Sequence, residues 1–178
     1  MIRKAVLAVF TLSLLAVLLV SCKSTYFHVT EEARDNVALK FKTDKAYLEG
    51  GKSISLTSGG FLLTPGDSTV LFVEGRGRYS EVGEVGVASL GVTETARFYM
   101  TLPTMIKPGR YDIHHKSICE ILGSLNYNQG ETLFTCQSGQ VVIDSLYKGK
   151  FYGKFKGEYI NTSNKRLTVD GDFKVKQK

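Results

Sequence analysis

Lys150-Phe151-Tyr152-Gly153-Lys154-Phe155-Lys156-Gly157-Glu158-Tyr159-Ile160 is the stretch that decides the fold. Phe151, Gly153, Phe155, Gly157 and Tyr159 occupy every second position, and Tyr152, Lys154, Lys156 and Glu158 the others. A period of two belongs to a strand with one buried and one wetted face. The next segment repeats the pattern: Leu167, Val169, Phe173 and Val175 share a face, while Lys174 and Lys176 point away. Ahead of both, Gln140 to Leu146 reads as a third strand. A turn around Thr162 to Lys165 joins the last two into a meander with a core face and a basic face.

Earlier in the chain the strand signals recur at short spacing. Ile54 and Leu56 alternate with serines up to Ser58-Gly59-Gly60, and Phe61-Leu62-Leu63 runs into the turn Pro65-Gly66-Asp67. Val70 to Glu74 follows. Glu81-Val82-Gly83 repeats as Glu84-Val85-Gly86, a glycine spacing suited to a hairpin or loop. Phe98, Met100 and Leu102 then alternate with Arg97, Tyr99 and Thr101. Ten Phe, nine Tyr and 18 Gly with only 3 Pro and no Trp suit strands and tight turns better than a helical bundle. The expected fold is all-β, a single-domain antiparallel β-sandwich, with a small lipocalin-like barrel as the alternative. One short N-terminal helix is also expected. Thr30 would cap it, Glu31 and Glu32 would fill its first turn, and a strand would take over near Val37.

The N-terminus is of another kind. Arg3 and Lys4 precede an almost wholly apolar run, Ala5 to Val20, closed by Ser21 and Cys22. A charged start, a short apolar stretch and a small residue before the cut describe an export signal, and the run is too short to span a bilayer. Leu19-Val20-Ser21-Cys22 resembles the lipobox of bacterial lipoproteins, which implies diacylglyceryl transfer to the Cys22 thiol. The organisation expected is a signal peptide over residues 1–21, a lipidated tether over 22–30 and a β-rich domain over 31–178. Loss of Arg3 and Lys4 takes the formal charge from +6 to +4, a mild excess that suits an envelope protein near anionic lipid and does not point to nucleic acid. Lys23 follows the cysteine without the acidic run of surface-export signals, so the implied location is the outer membrane with the domain in the periplasm.

A resemblance covers the last half of the chain. Thr101-Leu102-Pro103, Pro108-Gly109-Arg110-Tyr111-Asp112-Ile113, Ser138-Gly139-Gln140-Val141-Val142-Ile143, Gly153-Lys154-Phe155 and Val169-Asp170-Gly171-Asp172-Phe173 occur in an order similar to that of small Bacteroidetes lipoproteins of unassigned function. Gly50-Gly51-Lys52-Ser53-Ile54-Ser55-Leu56-Thr57-Ser58-Gly59 resembles a second such family. Both resemblances imply a β-rich envelope protein and carry no catalytic set.

The candidate site residues follow. Once Cys22 is assigned to lipid, Cys119 and Cys136 remain as a pair in a compartment where disulfides persist. A hairpin centred between Tyr127 and Asn128 sets Cys119 opposite Cys136 and Ile121 opposite Phe134, so a disulfide is expected. Asp112, His114, His115 and Cys119 invite a metal, but adjacent histidines on a strand point to opposite faces, and no metal or other cofactor is expected. Gly75-Arg76-Gly77-Arg78 lacks the lysine and serine of a phosphate loop. With three histidines and no hydrolase motif, no catalytic residues are assigned and the protein is expected not to be an enzyme. Lys154, Lys156, Lys174 and Lys176 would gather on one exposed face, fit for anionic headgroups or a polyanionic glycan. The function expected is that of a membrane-anchored binding or accessory module; the alternative is a small barrel binding an apolar ligand among Phe151, Phe155 and Tyr159.

Overall fold

In the structure, a computed structural model that describes residues 25–32, 37–57, 60–78, 81–83, 86–88, 93–123 and 132–178, the alternation at 150–160 is realised as a strand. Phe151, Gly153, Phe155, Gly157 and Tyr159 are buried, and Lys154, Lys156 and Glu158 are exposed. The expected signal segment, Cys22 and the expected turn at Asn126 to Gly130 lie outside the described residues.

Eleven strands follow one another along the chain: β1 (Tyr26–Glu31), β2 (Val37–Thr57), β3 (Gly60–Arg78), β4 (Glu81–Gly83), β5 (Gly86–Ala88), β6 (Thr93–Pro103), β7 (Gly109–Asp112), β8 (Ser117–Leu122), β9 (Leu133–Tyr147), β10 (Lys150–Ile160) and β11 (Arg166–Gln177). β4 and β5 form a separate small hairpin, as the repeated glycines suggested. The other nine share one sheet. Each strand pairs antiparallel with its neighbours in the order β1–β2–β3–β6–β8–β9–β10–β11, and β11 returns to β1. β7 and β8 take successive stretches of the same side of β9.

The all-β, single-domain expectation holds. The ladder from β9 to β10 closes the ring, so the wall is one continuous barrel; the two-sheet sandwich gives way to the barrel alternative. Closure pairs the long strands of the wall on both sides; β7, bonded only to β9, and the β2–β3 arm beyond Gly50 keep a free edge.

The lumen is filled by side chains. Phe27 on β1 stacks on Phe41 of β2 at 5.1 Å and meets Phe98 of β6 edge-on at 5.2 Å. Phe98 in turn lies 5.3 Å from Phe155 and 5.8 Å from Tyr159, both on β10. All five rings are fully buried. Each such side chain contributes about 1.5–3 kcal/mol through burial, and each favourable ring pair about 0.5–1.5 more. Inward glycines make room for them. A Cβ at Gly153 would strike the Val142 carbonyl and the Phe173 ring, and one at Gly171 would strike Phe27.

Two N-terminal expectations are corrected. Tyr26–Glu31, assigned to the tether and to a helix start, is a strand seated between β11 and β2, with Phe27 and Val29 buried. Thr30 and Glu31 are strand residues, Val37 begins β2, and residues 33–36, where the helix was expected, lie outside the described set. Residues 26–30 thus belong to the barrel wall.

Beyond Gly50 the β2–β3 hairpin turns back over the outside of the wall. The register shifts between Gly50 and Lys52, and Gly51 takes a left-handed φ of 69° at the bend. Phe61 comes to 4.4 Å from Tyr99, and Phe72, though it points outward, is buried between Tyr47 and Tyr99 at 4.9 Å from each. Alongside, Arg97 of β6 donates to Glu74 of β3 at 2.7 Å and to Glu120 of β8 at 3.2 Å. That bridge ties three adjacent strands on the barrel's outer surface.

Candidate functional site

The outward faces of β9, β10, β11, β1 and β2 form a polar groove, and the register dictates its composition. Lys156 lies between Gln140 and Asp170; Asp170 faces His28, and His28 faces Lys40. One row along, Lys154 lies between Val142 and Asp172. In the other direction Glu158 lies between Ser138 and Thr168, and Thr168 faces Thr30. Three segments with shared walls hold about 500, 660 and 630 Å³. Tyr26 stands at one end with the Lys40 ammonium 4.2 Å above its ring, and the exposed pair Arg166–Glu32, 3.8 Å apart, closes the other. Such a pair contributes about 0–1 kcal/mol, so both groups are available to a ligand.

The four lysines share the outer face of β10 and β11. β10 and β11 do pair, through a turn over residues 161–165, and all four lysines are exposed. Asp170 and Asp172 share that face, so it is mixed in sign. Lys154 and Lys156 face Asp172 and Asp170 inside the groove, while Lys174 faces Tyr152 and Lys176 faces Lys150 at one end of the barrel. The alternation that sends Lys174 and Lys176 outward sends Asp170 and Asp172 outward too, a signal that was present in the sequence. Tyr26 and His28 were missed because β1 was assigned to the tether.

The hairpin register also needs correction. Cys119 faces Phe134, Ile118 faces Thr135, and the Ile121 amide donates to the Thr132 carbonyl, so the pairing is displaced by two residues from the one expected. A two-residue displacement keeps both thiols inside but makes them diagonal neighbours, and both are free and buried. Cys136 Sγ donates to the Ser138 carbonyl at 3.3 Å, and Tyr159 Oη shares a 2.8 Å hydrogen bond with Ser117 Oγ. Burial pushes Cys119 and Tyr159 well above their ordinary values and Cys136 up to about 12. These are protonated thiols, poor nucleophiles at neutral pH.

Their burial has a pH signature. The Cys136 value is raised on folding from the ordinary 9.0, so its contribution to stability is intact below about pH 9 and is lost as pH rises toward 12. The urea midpoint is therefore expected to fall above about pH 9, and Cys136→Ser, which cannot ionise there, to reduce that fall. An unchanged slope in the variant would contradict the assignment.

His114 and His115 sit in a turn, not on a strand. His115 has a φ of 52°, the His114 amide donates to Asp112 Oδ1 at 3.0 Å, and His114 Nδ1 is hydrogen-bonded to the Gln137 carbonyl. Asp112 thus orders the turn. Among the described residues no group of three His, Cys, Asp or Glu side chains is placed to hold a metal. A smaller cleft of about 340 Å³, lined by Pro103, Arg110, Asp112 and Lys116 among others, separates β6 from β7.

Comparison with protein-family models, curated proteins and solved structures finds no match. The class defined by the coordinates is therefore architectural: a closed antiparallel barrel with an aromatic-filled interior and a polar groove on its outer wall.

Proposed function

We propose that the protein is a lipid-anchored component of a bacterial envelope, joined to the membrane through Cys22, and that it serves as a non-enzymatic binding or accessory module. The observation that carries the binding part is the filled lumen. Phe155 and Tyr159, named above as lining for an apolar ligand, are within 5.3 and 5.8 Å of Phe98 across the barrel, so they act as core. That favours the outer wall over the interior as the binding face. The groove suits a polar ligand of the glycan kind. Gln140, Asp170, Asp172, Lys154 and Lys156 offer donors and acceptors of both charges, and Tyr26 offers a ring face.

The anchor is tested on protein extracted from membranes in detergent. Its intact mass is expected to equal the chain from Cys22 plus acyl groups, and Cys22→Ala is expected to move the protein out of the membrane fraction. Two or more acyl chains give stable anchoring where one would be marginal. A mature chain with an unmodified Cys22 would overturn the reading.

A further inference from the structure

We propose that the end of the barrel at which the chain enters is a docking surface for anionic phospholipid, so that the domain sits with that end against the bilayer. This rests on the Cys22 anchor for its geometry and adds a second, independent membrane contact.

The first observation is where the chain enters. β1 begins at Tyr26, opposite Lys42, but β11 and β2 run on past that point and pair with each other in parallel, Lys176 with Tyr47 and Gln177 with Leu48. The Lys178 amide extends this seam to the Leu48 carbonyl at 2.9 Å, while the Thr25 carbonyl accepts from the Thr43 amide at 3.0 Å. The described chain therefore starts beside the point where β11 and β2 converge. Three peptide units separate Thr25 from Cys22, a reach of at most about 11 Å. A lipid on Cys22 holds this end, and not the opposite one, at the membrane.

The second observation is what this end displays. Across β9, β10, β11 and β2 the register sets Tyr147 beside Lys150, Lys150 beside Lys176 and Lys176 beside Tyr47. Further lysines lie over the rings: Lys148 at 5.1 Å from Tyr147, Lys174 at 5.4 Å from Tyr152 and Lys178 at 3.9 Å from Tyr47. Glu49 and Glu74 act on Tyr47, with Glu74 already bridged to Arg97, and Asp172 neighbours Lys174 on β11, which leaves the five lysines in excess. At the tips, Leu146 is 51% exposed, Tyr147 60% and Met105, in the β6–β7 connection at the same end, 76%. Interleaved tyrosines and lysines capped by exposed apolar side chains match the headgroup zone of an anionic bilayer. The ammonium groups meet lipid phosphates, the tyrosines sit at headgroup level, and the apolar tips reach the acyl boundary.

The test uses residues 23–178, which contain every strand of the barrel and no lipid, so its outcome is independent of whether Cys22 is acylated. The chain has no tryptophan, so Tyr147→Trp gives a single reporter at this end and Thr162→Trp one at the other. Each is titrated with vesicles of phosphatidylcholine alone and of phosphatidylcholine mixed with phosphatidylglycerol. The expected result is a blue shift of the tryptophan at position 147 on anionic vesicles only, none at 162, and affinity at least about tenfold above that for neutral vesicles. The preference should disappear at ~1 M salt, where the Debye length falls to ~3 Å. Replacing Lys148, Lys150, Lys176 and Lys178 by glutamine should abolish it, while Lys154→Gln with Lys156→Gln should not. Equal binding to both vesicles, a shift at 162 instead of 147, or loss of binding through the Lys154 and Lys156 pair would each overturn the proposal.

Discussion

A chain begun at Glu32 is expected to fail to fold, whereas one begun at Lys23 keeps full stability. The difference is β1. Its Phe27 and Val29 are buried in the lumen, and its backbone is hydrogen-bonded on one side to β11 and on the other to β2. Burial of those two side chains is worth about 1.5–3 kcal/mol each, and each lost ladder bond about 1 net. Removing the strand also leaves the facing edges of β11 and β2 unpaired. The combined loss is on the order of 10 kcal/mol, against about 5–15 kcal/mol for the whole stability of an ordinary domain. Far-ultraviolet circular dichroism and urea titration of the two chains measure this directly. A cooperatively unfolding chain from Glu32 would return Tyr26–Glu31 to the role of tether.

Phe27→Ala is the single substitution expected to cost most, about 3–5 kcal/mol. Its ring stacks on Phe41 at 5.1 Å, meets Phe98 at 5.2 Å and lies against the space opened by Gly75, while Gly171 leaves room for its Cα and Cβ. Those glycines have no side chains to move into the vacancy, so the cavity cannot collapse from that side. In a domain of this size the loss lowers the melting temperature by roughly 10 °C. Phe27→Leu should cost less than half as much, because most of the volume is kept. Calorimetry on the pair checks both the size and the order. Equal, small effects would mean that the lumen repacks freely and is not a fixed aromatic core.

The polar groove carries a different expectation from the core. Its walls are already paired in sign, Lys156 with Asp170 and Lys154 with Asp172. Exposed pairs of this kind contribute little to stability. The groove and the tether end are thus separable from folding, which is why their lysines can be replaced without disturbing the barrel.

Much of this was legible in the chain. The alternation of Phe151, Phe155 and Tyr159 against Lys154 and Lys156, and of Val169, Phe173 and Val175 against Lys174 and Lys176, determined two strands, their faces and their pairing, because a period of two can satisfy a half-buried sheet and little else. The glycine repeat at 81–86 left a hairpin or a loop open, and exposure of the four lysines followed from parity alone. Three things depended on tertiary structure. Whether the meander closes turns on the β9–β10 ladder and the return of β11 to β1, and local periodicity is the same in a sandwich and a barrel. The Cys119–Cys136 register depends on the length of the connecting turn; a shift of two residues keeps every side chain on its face, so no hydrophobic pattern forbids it. The grouping of charges, with Asp170 and Asp172 set opposite Lys156 and Lys154 and the seam of β11 and β2 bringing Lys176 and Lys178 beside the start of β1, arises only when strands become neighbours.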